Sequence, residues 1–225
     1  LKTSRETLLA PLQTVSGIVE KRHTLPILSN VLIEKKGSML TLVATDIEIQ
    51  ITTGISLEGG AEGSVTVAAR KLQDILRSLP EASTVSLDLD EKRLVVKAGK
   101  SRFSLQTLPA EDFPQMNMNA ANPVSFKVTQ KSFKHLLGQT QYAMAAQDVR
   151  YYLNGMLLQV EGNALRSVAT DGHRLAFAQI DIEENLEKQE IILPRKSVLE
   201  LARLLADSED PLNITLAHNQ ARFSF

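Results

Sequence analysis

The chain has 225 residues, with 25 Lys and Arg against 26 Asp and Glu, and it contains no cysteine. The composition excludes a disulfide framework and a cysteine metal site, and no apolar run approaches the roughly 18 residues that a membrane-spanning helix needs. A net charge of −1 argues against a generic basic nucleic-acid binder, and the polar start without Met leads us to expect a cytoplasmic, trimmed or fragmentary chain without a signal peptide.

The first half of the chain alternates helical and strand-like patterns. Apolar residues at helical spacing predict a helix over 8–19, in which Pro11 removes a backbone donor and should introduce a kink. Alternating apolar and polar residues predict a strand over 47–52. A second helix is predicted over 72–79 and a further strand over 85–90.

The second half continues the same alternation. A helical stretch is predicted over 131–150 and a fourth helix over 195–206. Turns are predicted at 36–38, 90–92 and 161–163, where Gly, Asn, Asp and Ser are frequent. Strands with one polar face indicate antiparallel sheet, so we expect an α+β fold whose helices cover one face of a sheet.

The chain also repeats itself. The Arg70-Lys71 pair recurs 125 positions later as Arg195-Lys196, and Arg102-Phe103-Ser104 recurs near the end as Arg222-Phe223-Ser224. The longest match at the same shift aligns Leu28, Leu32, Gly37, Leu40, Val43, Ala44, Thr45 and Asp46 with Leu153, Leu157, Gly162, Leu165, Val168, Ala169, Thr170 and Asp171. A repeat of this length predicts a tandem duplication of a whole domain rather than a solenoid.

The duplication sets the expected domain boundaries. A polar stretch over 116–123 that ends in Pro predicts the linker, so we expect one domain over 1–118 and a second over 123–225. Compared with the first copy, the second is expected to lack its C-terminal strand and the loop that follows.

Charge is distributed unevenly along this pattern. The four stretches taken as helical, 1–22, 70–79, 131–150 and 195–206, carry a surplus of eight positive charges, and the remainder a surplus of nine negative charges. If these helices share one side of the molecule, that side attracts a polyanion. The alternative, that they are ordinary solvated helix faces, stays open at this stage.

Catalytic motifs are scarce. The sequence has no G-x-S-x-G elbow, no phosphate-binding glycine loop and no H-E-x-x-H pair. Asp171 and His173 could serve acid–base catalysis, but the first copy repeats the Thr-Asp at Asp46 without the His, which favours a turn whose carboxylate accepts backbone N–H groups. The Gly-His-Arg-Leu segment found only in the second copy suits a peptide-binding groove.

Five segments carry a family resemblance. They closely resemble the bacterial replicative sliding clamp family, the beta subunit of DNA polymerase III, and they comprise residues 24–28, 101–105, 112–114, 147–155 and 168–175. The resemblance runs through the whole chain in order and implies a ring of two chains, each with three similar domains. Helices line its central hole, which encircles duplex DNA. It also implies that this chain holds the first domain, most of the second and none of the third.

The resemblance further implies function and partners. It indicates a non-catalytic processivity factor that needs no cofactor or metal. Its implied partners are duplex DNA and, through short linear motifs, the DNA polymerase III catalytic subunit, the clamp loader and repair polymerases. Without a third domain we expect this polypeptide to be monomeric or irregularly associated and to bind client peptides poorly; a closed dimer in light scattering would contradict this.

Individual residues match positions with roles in the family. Those associated with DNA contact are Arg22, Gln147, Tyr151, Tyr152 and Lys196. Those of the client-peptide pocket are Leu153, Thr170, Gly172, His173, Arg174 and Leu175. Those where the first domain meets the partner chain are Lys71, Phe103 and Leu105. One departure is His23, where close relatives have Pro, so this loop is expected to sit differently. A scaffold that does not encircle DNA, or an enzyme using Asp171 and His173, remains as the alternative.

Overall fold

The computed structural model describes residues 1–20, 25–90, 92–118, 122–217 and 219–225. It divides into two compact units, unit 1 (Leu1–Met116) and unit 2 (Asn117–Phe225). Each unit contains two α-helices and antiparallel strands within the described residues, so the predicted α+β class is confirmed.

Unit 1 is built on one eight-stranded sheet. Its helices are α1 (Arg5–Ser16) and α2 (Ala69–Ser78). Its strands are β1 (Lys2–Ser4), β2 (Asn30–Lys36), β3 (Met39–Thr45), β4 (Gln50–Ser56), β5 (Gly63–Ala68), β6 (Thr84–Asp90), β7 (Arg93–Ala98) and β8 (Ser101–Leu108). They pair antiparallel in the order β1-β6-β7-β8-β5-β2-β3-β4.

Unit 2 repeats the plan with longer strands. Its helices are α3 (Gln130–Thr140) and α4 (Arg195–Leu204). Its strands are β9 (Val124–Thr129), β10 (Gly155–Thr170), β11 (Leu175–Pro194), β12 (Pro211–Ala217) and β13 (Gln220–Ser224). Strands β10 and β11 pair antiparallel with register shifts around Gly162, and β13-β12-β9 form a second sheet. The turn predicted at 161–163 therefore appears as an irregularity within β10, where Gly162 has a left-handed φ of +59°.

The two units share the way their first helix begins and the way their cores pack. The Ser4 hydroxyl accepts the Thr7 N–H at 3.1 Å to cap α1, and Thr129, at the matching place in unit 2, caps α3 by accepting the Ser132 N–H at 3.1 Å. In each unit the buried faces of both helices pack against the strands. Pro11 lies buried inside α1, and the kink expected there stays a prediction.

Two predicted elements differ from the structure. The helical stretch predicted over 131–150 is wrong beyond α3, because a single 3-10 turn (Gln141–Ala143) follows it. Further along, the Asp148 carboxylate accepts the Arg150 N–H at 2.8 Å and holds the end of the stretch in a loop. The strand predicted from residue 47 begins only at Gln50, because the Asp46 carboxylate accepts the N–H groups of Glu48 and Ile49 and forms a turn.

The charge prediction also needs correction. Helix α1 holds one Arg and one Glu and is neutral, because the basic residues counted with it lie outside its bounds. Helices α2, α3 and α4 each keep a surplus of two positive charges. The prediction that every helix is basic is therefore wrong for α1 and holds for the other three.

Candidate functional site

The Thr-Asp repeat forms the same turn in both units. In unit 2 the Asp171 Oδ1 accepts the N–H groups of His173 and Arg174, both at 3.0 Å, and the Thr170 hydroxyl donates to the Arg174 carbonyl at 2.7 Å. In unit 1 the Asp46 carboxylate accepts its two N–H groups at 3.1 and 2.8 Å. The turn predicted from the sequence is confirmed.

This turn leaves Asp171 little capacity as a general base. Its pKa is lowered chiefly by the His173 N–H, then by the Arg174 N–H, and the Arg174 side chain adds an ion pair at 3.0 Å. A carboxylate so engaged holds its proton weakly and has its oxygens directed at backbone donors. The geometry therefore disfavours the acid–base alternative.

The third residue of the turn differs between the units. Ile47 has φ +81° and is 53% exposed, whereas Gly172 has φ +88° at the corresponding place. Only glycine adopts this conformation without steric cost. A Cβ on Gly172 would also lie 2.9 Å from the Arg150 Nη2, so glycine lets the guanidinium approach the turn.

The strain at Ile47 gives a stability prediction. We expect Ile47→Gly to stabilise unit 1 by up to about 1 kcal/mol, because relief of a left-handed β-branched residue exceeds the entropy that glycine adds to the unfolded chain. Urea unfolding followed by circular dichroism measures the effect. The control Leu89→Gly, at an exposed position of β6, should destabilise unit 1. A lower urea midpoint for Ile47→Gly than for the unsubstituted chain would show that the backbone at Ile47 is not strained.

The loop before β10 bears three of the four predicted DNA-contact residues of unit 2; the fourth, Lys196, lies in α4. Tyr151 and Tyr152 form a T-shaped ring pair with centroids 5.8 Å apart and are 83% and 49% exposed. Gln147 is exposed in the same loop, and Val149 is 98% exposed. The loop therefore presents aromatic and apolar side chains outward instead of packing them in the core.

An ion pair within this loop shifts the pKa of its acid. The pKa of the Asp148 carboxyl is lowered from 3.8 to about 2, first by the Arg150 side-chain hydrogen bonds and then by the Arg150 N–H. The same hydrogen bonds with the Asp148 carboxylate raise the pKa of Arg150. Both side chains are partly exposed, at 21% for Asp148 and 50% for Arg150, so the pair shapes the loop more than it stabilises the fold.

The lowered pKa gives a pH prediction. Because the folded value lies below the unfolded one, the Asp148 carboxylate stabilises the loop above pH 3.8, and this contribution is lost as the pH falls through about 2. An NMR titration of the Asp148 carboxyl carbon should give a midpoint of about 2, moving toward 3.8 in Arg150→Gln. A midpoint near 3.8 in the unsubstituted chain would show that the pair does not form in solution.

Most of the predicted pocket residues lie at the turn between β10 and β11. Leu153 is only 8% exposed, whereas Leu175 is 65% exposed at the start of β11. His173 and Arg174 are exposed in the adjoining turn, and Thr170 is half-buried at its start. The structure thus places the five predicted pocket residues from Thr170 to Leu175 at one turn, with Leu175 on the surface, whereas Leu153 is buried just before β10.

Sequence reasoning missed three neighbours of this turn. The Arg174 guanidinium lies 5.5 Å from the Tyr142 ring centroid, and its Nη2 donates to the Tyr142 carbonyl at 2.7 Å. Phe177, two residues after Leu175 on the same outward strand face, is 58% exposed. Arg150 contacts the turn as described above. Of the three, only Phe177 could have been predicted from the sequence, because large apolar residues alternate with alanines at the start of β11 and so share one strand face.

The duplicated Arg-Lys pairs divide into a structural and a surface residue. Arg70 donates to the Val19 carbonyl at 2.9 Å, and Arg195 donates to the Met144 carbonyl at 3.1 Å. Both the donor and the acceptor of the second bond lie 125 positions after those of the first, so the bond itself is duplicated. Lys71 is exposed and Lys196 is half-buried, each in the first turn of its helix. The first residue of each pair therefore ties its helix to a preceding segment.

This tie predicts a stability loss. We expect Arg195→Met, which keeps the apolar stem, to destabilise unit 2 by about 1–3 kcal/mol, because it leaves a partly buried carbonyl without its charged donor. The matched control is Arg203→Met in the same helix, which breaks an exposed pair with Glu200 worth no more than about 1 kcal/mol. Equal losses of stability in thermal unfolding would contradict a special role for Arg195.

The remaining predicted site residues are dispersed or not described. Phe103 is half-buried against the unit 1 core, and Leu105 is 8% exposed within it, so Leu105 offers little surface. Arg22 and His23 lie outside the described residues. Across the described ranges, no group of three or more His, Asp or Glu residues could hold a metal ion. Nor does any helix of that part of the chain have the length and apolarity to cross a membrane.

Comparison with known proteins matches both halves of the chain. The model of the DNA polymerase III beta subunit N-terminal domain matches residues 1–117, and that of its central domain matches residues 127–225. The beta sliding clamp of Pseudomonas aeruginosa is 49% identical over 97% of this chain, and that of Escherichia coli is 46% identical over 97%. The chain spans 60% of the length of these relatives.

Solved structures agree with these matches. A Pseudomonas aeruginosa DnaN sliding clamp bound to griselimycin superposes with a TM-score of 0.94 at 46% identity, covering 100% of this chain and 61% of that one. The Caulobacter crescentus pol III beta structure gives a TM-score of 0.93 at 36% identity, covering 100% of this chain and 62% of its own. At these identities the chain shares with these structures not only the fold but also the protein family.

Proposed function

The chain belongs to the DNA polymerase III beta subunit family, and from that membership we propose that it forms part of a sliding clamp that encircles duplex DNA. The clamp is not a catalyst: it tethers the replicative polymerase, whose processivity rises because escape requires ring opening. Sequence-independent phosphate contacts then suffice, and the ring slides. A cytoplasmic location and a homodimeric ring are part of this proposal.

One link in unit 2 carries the DNA part of the proposal. The Arg195 N–H donates to the Asn154 carbonyl at 2.9 Å, so the loop with Tyr151 and Tyr152 ends where helix α4 begins. Lys196 in the first turn of that helix adds positive charge. An aromatic pair beside a basic helix start suits contact with a nucleic-acid backbone, supplemented by stacking. Arg22, Gln147 and Lys196 complete the proposed DNA-contact set.

A charge reversal tests this surface. At low salt, Lys196→Glu should weaken binding of a short mixed-sequence duplex about 3- to 10-fold and lower the salt slope by about one, because one phosphate contact is lost. The matched control is Lys188→Glu on β11, where the lysine pairs with Glu190 at 3.1 Å. Equal weakening by both variants would favour general charge over a local DNA surface.

We also propose that the turn and strand of unit 2 bind short linear motifs of client proteins. The residues are Leu153, Thr170, Gly172, His173, Arg174 and Leu175, with the polymerase catalytic subunit, the clamp loader and repair polymerases as clients. Exposed Leu175, beside a turn that carries the polar side chains of His173 and Arg174, supports binding of a peptide that has both apolar and polar residues. The sliding clamp of the Pseudomonas aeruginosa relative binds griselimycin, and we propose that this chain binds the same ligand at this turn and strand. Lys71, Phe103 and Leu105 remain the proposed ring interface.

A further inference from the structure

The loop over 147–153 has little apolar packing to hold its shape. Val149 is 98% exposed and Tyr151 83%, and only Leu153, at 8%, is anchored in the core. An exposed segment of this kind samples many conformations unless hydrogen bonds restrict it. Within the loop, Asp148 pairs with Arg150, and the bonds that join the two ends of the loop are made by the residue that follows it, Asn154.

Asn154 joins both ends of the loop through one side chain. Its Oδ1 accepts the Asp148 N–H at 2.8 Å, and its Nδ2 donates to the Asp148 carbonyl at 2.8 Å. The amide thus satisfies both backbone groups of a residue six positions earlier, as a neighbouring strand would. Asparagine has the donor and acceptor at the length this requires; aspartate has no donor and alanine has neither.

The backbone of Asn154 anchors the same point. Its N–H donates to the Tyr151 carbonyl at 3.0 Å, which closes the turn carrying both tyrosines, and its carbonyl accepts the Arg195 N–H at 2.9 Å. Next to it, the Ala145 N–H donates to the Leu153 carbonyl at 3.0 Å. The base of the loop is therefore fixed to helix α4 and to the segment that follows α3.

We propose that Asn154 is a positioning residue: its amide holds the 147–153 loop in the single shape that directs Tyr151 and Tyr152 toward DNA. The inference rests on the proposed DNA-binding function of these tyrosines. Asn154 itself need not touch DNA, and it acts through the conformation of the loop. Pre-organising the loop removes the ordering cost that binding would otherwise carry.

Hydrogen exchange tests the hold on the loop. Asn154→Asp keeps the size of the side chain, removes the donor and places a carboxylate against the Asp148 carbonyl. Exchange at the Asp148 and Asn154 amides should accelerate about 10- to 100-fold, because the hydrogen bond from the side-chain amide to the Asp148 carbonyl is lost and the new carboxylate repels that carbonyl. Asn154→Ala should do the same without added charge, and core amides of α3 should be unchanged. Asn213→Asp, at an exposed position of β12, is the charge-matched control and should leave the loop unaffected.

Duplex binding tests the consequence. Asn154→Asp should weaken binding of a short duplex about 3- to 10-fold in the parent chain, yet cause no further loss when Tyr151 and Tyr152 are both alanine. Unchanged loop exchange overturns the inference. So does equal weakening in both backgrounds, which indicates a direct or general charge effect. If the unsubstituted chain fails to bind duplex, the proposed function of this surface fails, and the exchange result alone decides whether Asn154 holds the loop.

Discussion

Gly155→Ala is expected to unfold unit 2 at temperatures where the unsubstituted chain is folded. A Cβ at this position would lie 2.5 Å from the Leu193 carbonyl oxygen and 2.9 Å from the Ile192 Cγ2. Gly155 is buried and pairs with Pro194, so neither backbone can move without breaking the β10–β11 ladder. Overpacking against backbone typically costs about 1–3 kcal/mol or more, a large part of the stability of one domain.

A second glycine provides the control with the opposite sign. Gly138 lies exposed within α3, and a Cβ added there would meet no other atom within 4 Å. Gly138→Ala should therefore stabilise unit 2 by up to about 1 kcal/mol. Calorimetry measures both variants, and hydrogen exchange assigns the change to unit 2. A Gly155→Ala variant as stable as the parent would mean that the β10–β11 approach is looser than the structure shows.

Leu175→Asp is expected to weaken griselimycin binding at least about tenfold. Leu175 is 65% exposed, and an unpaired carboxylate in an apolar contact costs more than the about 1–3 kcal/mol of an unpaired neutral polar group, where 1.4 kcal/mol is a factor of ten. An NMR titration at high ligand concentration is the suitable measurement, because it detects weak as well as tight binding. His173→Ala should weaken binding less.

The control for this substitution is Leu199→Asp. Leu199 is 45% exposed on α4 in the same unit, so it introduces the same charge on a different surface. It should leave griselimycin affinity within about twofold of the parent. If Leu199→Asp lowers the affinity as much as Leu175→Asp, the turn and β11 are not the binding surface.

Local patterns predict the elements that local physics determines. Helices α2 and α4 follow from apolar spacing, and the Thr-Asp turn follows from side chains that capture nearby N–H groups. The third helix is predicted too long because Met144 continues its apolar face and is itself buried at 3%. Periodicity also does not reveal the bonds that Asp148 makes with Arg150 and Asn154, which hold the end of the predicted stretch in a loop.

The sequence proposes residues for the candidate site but does not give their geometry. The family resemblance identifies Tyr151, Tyr152 and the 170–175 turn, whereas the approach of Arg150 to Gly172 depends on the folded loop. The Arg195 tie to Met144 joins residues 51 positions apart, so only the structure separates it from the surface role expected of Lys196. Contacts across such separations arise from packing, and sequence spacing does not encode them.

The central claim is that this chain forms part of a ring around DNA, and topology tests it most directly. The chain can be joined to the part of the Pseudomonas aeruginosa beta sliding clamp that has no counterpart in it, and the product loaded onto nicked circular DNA by the clamp loader of that organism. Gel filtration should show the protein retained on circular DNA and released once the DNA is cut to a linear form. Equal retention on both forms would contradict encirclement and favour a scaffold bound by surface contacts alone.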